Sequence, residues 1–411
     1  MTETLTVLPP PSQVGARPTP EPDLGFEFGG PAYRLMQRLR IIEGAGPSVM
    51  RRSLAFLAVT WIPLLVFAVF EGYAIGPTPR TSLLLDFATY ARLFLAVPLI
   101  FAAELVVGPR MRSAGLRLLY GDIVRPESRA EFEAAVARVK QRREAYLPEI
   151  IFLVVALIGA RSFSLDQLTG TGATTWHTTS VAGELHLSAS GLWYGFVVVP
   201  LVQFFVLRWV WRLVIWTLFL RDVSRLRLNL FGTHSDLAAG LGFLGAAHVS
   251  MAIFPFAVGC VMAAEISFRA HFEGLDLATL QSMTPVFIAY LAFVEIVTFG
   301  PLLIFVPVLA RARREALREY GILVQQHNDL FHRKWIDGNR PADELPLGNP
   351  DMSSLVDLGT SYTVVRDMKA IPFNLKQMGQ VAVISCVPGL PLLFQVLPFV
   401  EALKVIARIA V

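Results

Sequence analysis

Charge is scarce in this chain. Only 17% of its 411 residues are Asp, Glu, Lys or Arg and 54% are apolar, against about 25% charge in a soluble domain. Cysteine is nearly absent: Cys260 and Cys386 lie far apart in apolar segments, so they give neither a disulfide framework nor a Cys-pair metal site and read as buried small hydrophobes. Lysine is rare, 5 residues against 31 Arg, a composition typical of GC-rich genomes. No G-x-x-x-x-G-K-[ST], H-E-x-x-H or G-x-S-x-G occurs. The N-terminus lacks the basic start and apolar run of a secretory signal. These gaps argue against a soluble enzyme, a disordered protein and a secreted disulfide scaffold. No cofactor and no metal is expected.

What the chain has instead is long apolar runs. About 20 apolar residues cross a hydrocarbon core of about 30 Å. Six stretches qualify: 53–75, 87–107, 147–163, 192–220, 239–268 and 286–310. The third is short and reads as the end of a longer helix starting near Ser128. The fold class expected is all-α, a polytopic helical membrane protein.

Around the six-span domain (53–310, with a helical loop at 108–146) lie four further regions. Residues 1–30 carry six prolines and four acidic residues and read as a disordered tail. Residues 31–52 alternate apolar residues with Arg34, Arg38 and Arg40, which suits an amphipathic interfacial helix or a plain linker. Residues 311–370 form a second polar helical loop. In 371–411, Pro388, Gly389 and Pro391 break the helix. Two half-helices, about 375–387 and 392–409, make either a seventh span or a re-entrant hairpin.

Lys and Arg counts in the loops set the orientation. Segments 31–52, 108–146, 221–238 and 311–375 hold five, nine, three and nine; 76–86, 164–190 and 268–285 hold one, none and one. The N-terminus and the large loops are therefore expected in the cytoplasm. The basic pI of about 9.2 then points to phospholipid head groups and not to nucleic acid.

Several residues are costly where they sit. Glu295 lies inside the sixth span, where a carboxylate costs at least about 2.5–3.5 kcal/mol. Pro301 frees the Val297 carbonyl, and Thr298 is one turn away; an acid, a hydroxyl and a free carbonyl resemble a cation or proton site. The alternative is a protonated Glu bonded to a neighbouring helix. His248 lies in the fifth span at a different depth, so a direct pair with Glu295 is not expected. Pro255 frees the Met251 carbonyl in that span. Arg208 and Arg212, amid Trp209, Trp211 and Trp216, read as an interfacial anchor or as the lining of an anion path. Arg92, Glu104, Arg161 and Glu265 sit nearer span ends, where snorkelling explains them. Gly240, Gly242 and Gly245 spell G-x-G-x-x-G, but at the opening of an apolar span, where small residues serve close helix packing. Outer-loop His177, His186 and His271 match no metal-ligand spacing.

The turn Thr233-His234-Ser235-Asp236 before the fifth span offers helix caps, and with Arg221, Arg225 and Arg227 nearby an anion site at a helix N-terminus. The run from His234 through Asp236, Ala238 and Gly240 to Leu244 resembles a motif of uncharacterised bacterial multi-span inner-membrane proteins, which usually read His-Pro-Asp where this chain has Ser235. Leu347–Asp351, Ser354–Leu358, Ile371–Phe373 and Pro388–Leu393 are similar to the same group. The resemblance covers the second half of the chain and implies architecture only, since the group's function is unknown.

From these features the leading expectation is an oligomeric ion channel or small-solute transporter of a bacterial inner membrane. The alternative is a non-transporting scaffold or sensor acting through its cytoplasmic loops. An enzyme is not expected. The bilayer and further copies of the chain are the partners expected.

Overall fold

The computed structural model describes residues 23–26, 28–42, 48–169, 175–181, 184–274, 281–341 and 344–392. In chain order these form α1 (Pro31–Arg38), α2 (Val49–Phe70), α3 (Phe87–Tyr120), α4 (Arg129–Arg143), α5 (Tyr146–Thr169), a hairpin of β1 (Thr178–Val181) and β2 (Glu184–Leu187), α6 (Ala189–Val223), α7 (Gly242–Phe272), α8 (Thr284–Ile336), α9 (Pro350–Asp367) and α10 (Leu375–Cys386). The protein is all-α and polytopic. Helices α2, α3, α6, α7 and α8 are long and apolar enough to cross a bilayer. The bent pair α4–α5 adds a sixth crossing if the two are counted as one.

That pair is the longer helix expected from near Ser128, with a break. The chain turns by 43° between Arg143 and Tyr146, so α4 lies across the base of α6 while α5 runs up beside it. The end carrying Arg52, α4, the α6–α7 turn and the α8–α9 hairpin is called the basic end below.

Proline shapes the spans without ending them. Before Pro98 and before Pro200 the helix widens into a π turn, Ala91–Ala96 and Tyr194–Val198. A proline cannot donate to the carbonyl four residues back and its ring crowds that group, so a wider preceding turn relieves both problems. In α7 and α8 the chain tightens instead, into 3₁₀ turns at Ser250–Ala252 and Gly300–Phe305, close to Pro255 and containing Pro301.

Side chains finish the helix ends. Asp86 accepts from the Thr89 N–H at the start of α3, and Ser188 from the Gly191 N–H at the start of α6. Glu71, from the end of α2, also accepts the Ala189 and Ser190 N–H groups of α6. Asn374 and Gln377 form a reciprocal capping box on α10.

Two apolar clusters fill the interior. One, at the basic end, gathers Leu24, Phe26, Val107, Phe132, Trp216, Phe219, Leu244 and Phe305. The other, toward the opposite end, gathers Phe56, Leu64, Phe101, Trp176, Tyr194 and Val198. Glu104 falls in sequence between Phe101 of the second and Val107 of the first, so the charged site described next lies at the seam.

Residues 23–30 depart from the expected tail. Leu24 is fully buried against Gly115, where a β-carbon would stand 2.8 Å from its Cδ1. The Phe26 ring meets Trp216 edge-on at 5.0 Å. Two large apolar side chains, seven and five residues before the start of α1, are enough to hold this stretch on the protein. Residues 31–52 do yield a short helix, α1, but it docks on α5 through the Ala32 N–H to Glu149. Residues 1–22 lie outside the described residues, as do 393–411. The predicted first half-helix is α10, followed by a 3₁₀ turn at Val387–Gly389 holding Pro388 and Gly389, with Pro391 just beyond. The choice between seventh span and hairpin falls on the residues outside the description.

Candidate functional site

Five charged side chains from four helices meet inside the protein at the basic end. Glu104 of α3 accepts from Arg52 of α2 at 2.6 Å through Oε2 and from Arg212 of α6 at 3.0 Å through Oε1. One turn away on α6, Arg208 pairs with Glu149 of α5 at 3.1 Å. Arg52, Glu104, Arg208 and Arg212 are all at least nine-tenths buried. The Arg52 guanidinium lies over the Phe101 ring and that of Arg212 over Trp209, at 5.1 and 4.6 Å from the ring centres. A cavity of about 10 Å³ adjoins them, lined by Arg52, Ile100, Phe101, Glu104, Phe205, Arg208, Trp209 and Arg212, with room for about one water.

The N-terminal segment closes this cluster at the basic end. The Gly29 carbonyl accepts from Arg208, and Glu149 accepts the Ala32 N–H with its second oxygen. Gly29 and Gly30 both have φ near +90° and bring the backbone close; a β-carbon on Gly30 would collide with Glu149 Oε1 at 2.8 Å. Further out, Asp23 pairs with Arg143 at 2.9 Å and Arg34 with Glu144. The Arg143 guanidinium holds the Asp23 carboxyl below the usual carboxylate range, against a smaller upward push from burial.

His248 joins three helices. Its Nε2 accepts from the Trp216 indole at 2.8 Å, and its Nδ1 lies 2.5 Å from the Thr298 carbonyl. Since an indole only donates and a carbonyl only accepts, the ring is neutral with its proton on Nδ1. The carbonyl used is that of Thr298, not the Val297 oxygen picked out by Pro301. In α7, likewise, it is Pro255's own carbonyl that accepts, from Tyr290 at 2.7 Å. No hydrogen bond or ion pair joins Glu295 to His248 among the described residues. Both of its carboxylate oxygens are shielded and lack a hydrogen-bond partner among the described residues, on a helix whose Phe293 and Ile296 side chains are exposed.

In the turn before α7, Asp236 carries the organisation. Its Oδ1 accepts the Ala238 and Gly240 N–H groups and its Oδ2 accepts that of Gly242, the first residue of α7. Leu237, Ala239 and Gly240 all have positive φ, a run that two of these residues adopt at a cost. Burial pushes the Asp236 carboxyl up, but the three N–H groups and His234 outweigh it and hold it below its usual value. His234 Nδ1 lies 2.8 Å from Oδ1; Thr233 and Ser235 make no side-chain hydrogen bond described here. Gly245 packs on the chain before α10, where a β-carbon would stand 2.7 Å from the Pro372 carbonyl. Of the three motif glycines this one alone packs closely on another part of the chain; Gly240 and Gly242 lie against His234 and Asp236 of their own turn.

Arg208 and Arg212 point inward to carboxylates and not outward to an interface. Glu104 does not snorkel; it is the centre of the cluster. Arg161 is exposed, and Glu265 is half-exposed, paired with Arg269 one turn on. His177 stacks on Trp176 at 3.5 Å. No three of His, Cys, Asp and Glu converge as a metal set among the described residues. Arg52 and Glu149 were not singled out by sequence. The only signal was their position: Arg52, the second of the pair Arg51-Arg52, and Glu149 each lie within three residues of the start of an apolar run.

Comparison with protein-family models, curated proteins and solved structures finds no match. The architecture and the buried cluster are thus the basis for any functional reading.

Proposed function

We propose that this protein is a homo-oligomeric platform of the bacterial inner membrane whose output is the hairpin α8–α9 on the cytoplasmic side. The observation that carries this reading is α8 itself. It continues for 53 residues through the 3₁₀ turn at Gly300–Phe305, about 80 Å at 1.5 Å per residue, more than twice the thickness of a bilayer core. It begins among the apolar spans and ends in a polar hairpin that exposes Ile322, Leu323, Leu330 and Val356. Leu309 and Ala316 are buried, and Leu323 and Leu330 continue the same seven-residue spacing uncovered. A second copy of the chain suits that seam, since the sequence supplies the same spacing twice over. The cytoplasmic placement rests on the distribution of Lys and Arg, and the inner membrane on the resemblance and the Arg-rich composition. The mass of the purified protein in nanodiscs tests the platform. Wild type should be oligomeric, and Leu323→Glu with Leu330→Glu should shift it to the monomer. A monomeric wild type refutes the reading. Cysteines at Thr174 and Asn339, in a background without Cys260 and Cys386, should label from opposite sides.

Ion passage is the second reading, supported by Glu295 alone. Its carboxylate, without a hydrogen-bond partner among the described residues, lies on a helix with exposed apolar side chains and suits a path between copies of the chain. Glu295→Gln keeps shape and removes titration, so it should alter flux, or the pH dependence of flux, in liposomes. Absence of flux in wild type for common cations, anions and protons sinks this second reading and leaves the platform standing.

A further inference from the structure

We infer that the groove between α7 and α10 is a binding site for a phospholipid with an anionic head group, drawn from the leaflet at the basic end. The first turn of α10 meets α7 at Gly245, where a β-carbon would stand 2.5 Å from Gln377 Oε1. Its last turn meets α7 at Gly259, where a β-carbon would stand 3.0 Å from the Ser385 carbonyl. The two helices therefore run side by side in the same direction, away from the basic end. Between them is a groove of about 470 Å³, lined by Val249, Lys376, Gly379, Gln380, Val383 and Ile384, a size that suits a small-molecule site. Lys376, Gly379, Gln380 and Val383 are exposed, so the groove opens on the outside of the bundle.

The groove is graded along its length. Lys376, Gly379, Gln380 and Val383 follow one another at helical spacing on one face of α10. That face is charged toward the basic end, polar one turn on, and apolar beyond, where Ile384 joins Val383. Lys376 and Val383 differ in height by about 10 Å, and a head-group layer is about 5–8 Å deep. A phosphate on Lys376 therefore sets its own acyl chain against Val383 and Ile384, with the Gln380 amide between them as a donor to ester or glycerol oxygens. No carboxylate stands among the lining residues. A zwitterionic lipid would bring a second cation to Lys376 with nothing there to balance it, whereas an anionic lipid brings only the charge that Lys376 matches. Gly379 keeps the middle of the groove clear: a β-carbon there meets nothing within 4 Å among the described residues.

The test uses the full chain in detergent micelles, titrated with phosphatidylglycerol or with phosphatidylcholine of identical acyl chains, and reads the lipid retained by native mass spectrometry. Wild type should hold phosphatidylglycerol with about a fivefold preference, the worth of one Lys at an anionic surface. Lys376→Gln should erase that preference. Gly379→Trp fills the groove and should lower retention of both lipids while helicity and Tm hold. Equal retention of the two lipids by wild type overturns the proposal, as does a preference that survives Lys376→Gln. A photoreactive maleimide on Gly379→Cys, in a background without Cys260 and Cys386, identifies the occupant even if Gly379→Trp does not fold. Adducts with lipid support the site; adducts with residues 393–411 or with a second copy of the chain refute it.

Discussion

Arg208 and Arg212 stand one turn apart on a single helix and are held by carboxylates of two different helices, Glu149 on α5 and Glu104 on α3. That division ties three helices at one level of the bundle. Removing one member strands the others. Glu104→Ala takes from Arg52 its buried carboxylate and from Arg212 its bond to Oε1 and should cost about 3–5 kcal/mol, read as lost yield and a lowered Tm. Replacing Arg52, Glu104 and Arg212 together by Met, Gln and Met should cost much less than the single change, because no charge is then left unpaired at Glu104's position. A single-mutant cost below that of the triple variant contradicts the assignment.

The turn at Asp236 gives a contrast between two substitutions. Asp236→Ala strands three backbone N–H groups and should destabilise by roughly 1–3 kcal/mol. Asp236→Asn keeps Oδ1 for Ala238 and Gly240 and loses only the bond to Gly242, so its cost should be smaller. The carboxyl titrates below its usual 3.8, so its contribution is complete above that pH and is lost as pH falls through the lower folded value. Tm of wild type and Asp236→Asn should therefore converge in strong acid. Parallel curves down to pH 2 count against this role.

His177 titrates in the other sense. Burial is the main cause that pushes it down to about 4 from 6.5, so the folded protein resists a proton that the unfolded chain accepts. Stability is full above pH 6.5 and declines as pH falls toward 4, by on the order of 2–3 kcal/mol. His177→Gln should flatten Tm between pH 7 and pH 4.5 relative to wild type. An unchanged slope excludes His177 as its source.

The hairpin tip is closed by Lys334, which donates to Glu344 at 2.6 Å and Asp351 at 2.7 Å. The Lys334 hydrogen bond is the main cause that lowers both carboxyls, and those two bonds raise the ammonium. Closure should therefore be complete from the ordinary carboxylate range up to about pH 10.5, and be lost only as pH rises through the raised value of the ammonium or falls through the lowered values of the carboxyls. Lys334→Met should speed amide exchange in 344–352 at pH 7 and leave the spans untouched. Unchanged exchange at the tip contradicts the lock.

Periodicity and hydropathy exposed the spans because each needs about 20 apolar residues whatever its neighbours. They also marked Pro388 and Gly389, where the chain tightens into a 3₁₀ turn and goes on as helix through Leu392, since proline acts on its own turn. The charged cluster was less legible. Arg52, Glu104 and Glu149 sit near the ends of apolar runs, where a charge reaching the interface and a charge turned inward look alike in sequence. Only the packing of α2, α3, α5 and α6 decides between them. Leu24 and Phe26 were hidden differently: two apolar residues among prolines and acids carry no period, and their burial depends on Gly115 and Trp216 far along the chain. Glu295 stood out at once, because a carboxylate between Val294 and Ile296 in a span is costly, though a path for ions and a protonated Glu bonded to a neighbouring helix read alike in sequence.

The 3₁₀ turn Gly300–Phe305 lies between the part of α8 that carries Glu295 and the 31 residues from Val306 to Ile336 that project from the basic end. Those residues form an arm of about 46 Å. A change of about 10° at its root would carry the far end through about 8 Å on the same rise per residue, several times the displacement of any side chain at the root. His248, bonded to the Thr298 carbonyl just before that turn, sits at the fulcrum. Small events among the spans thus have a lever available, and the far side of the molecule is where their effect would be largest.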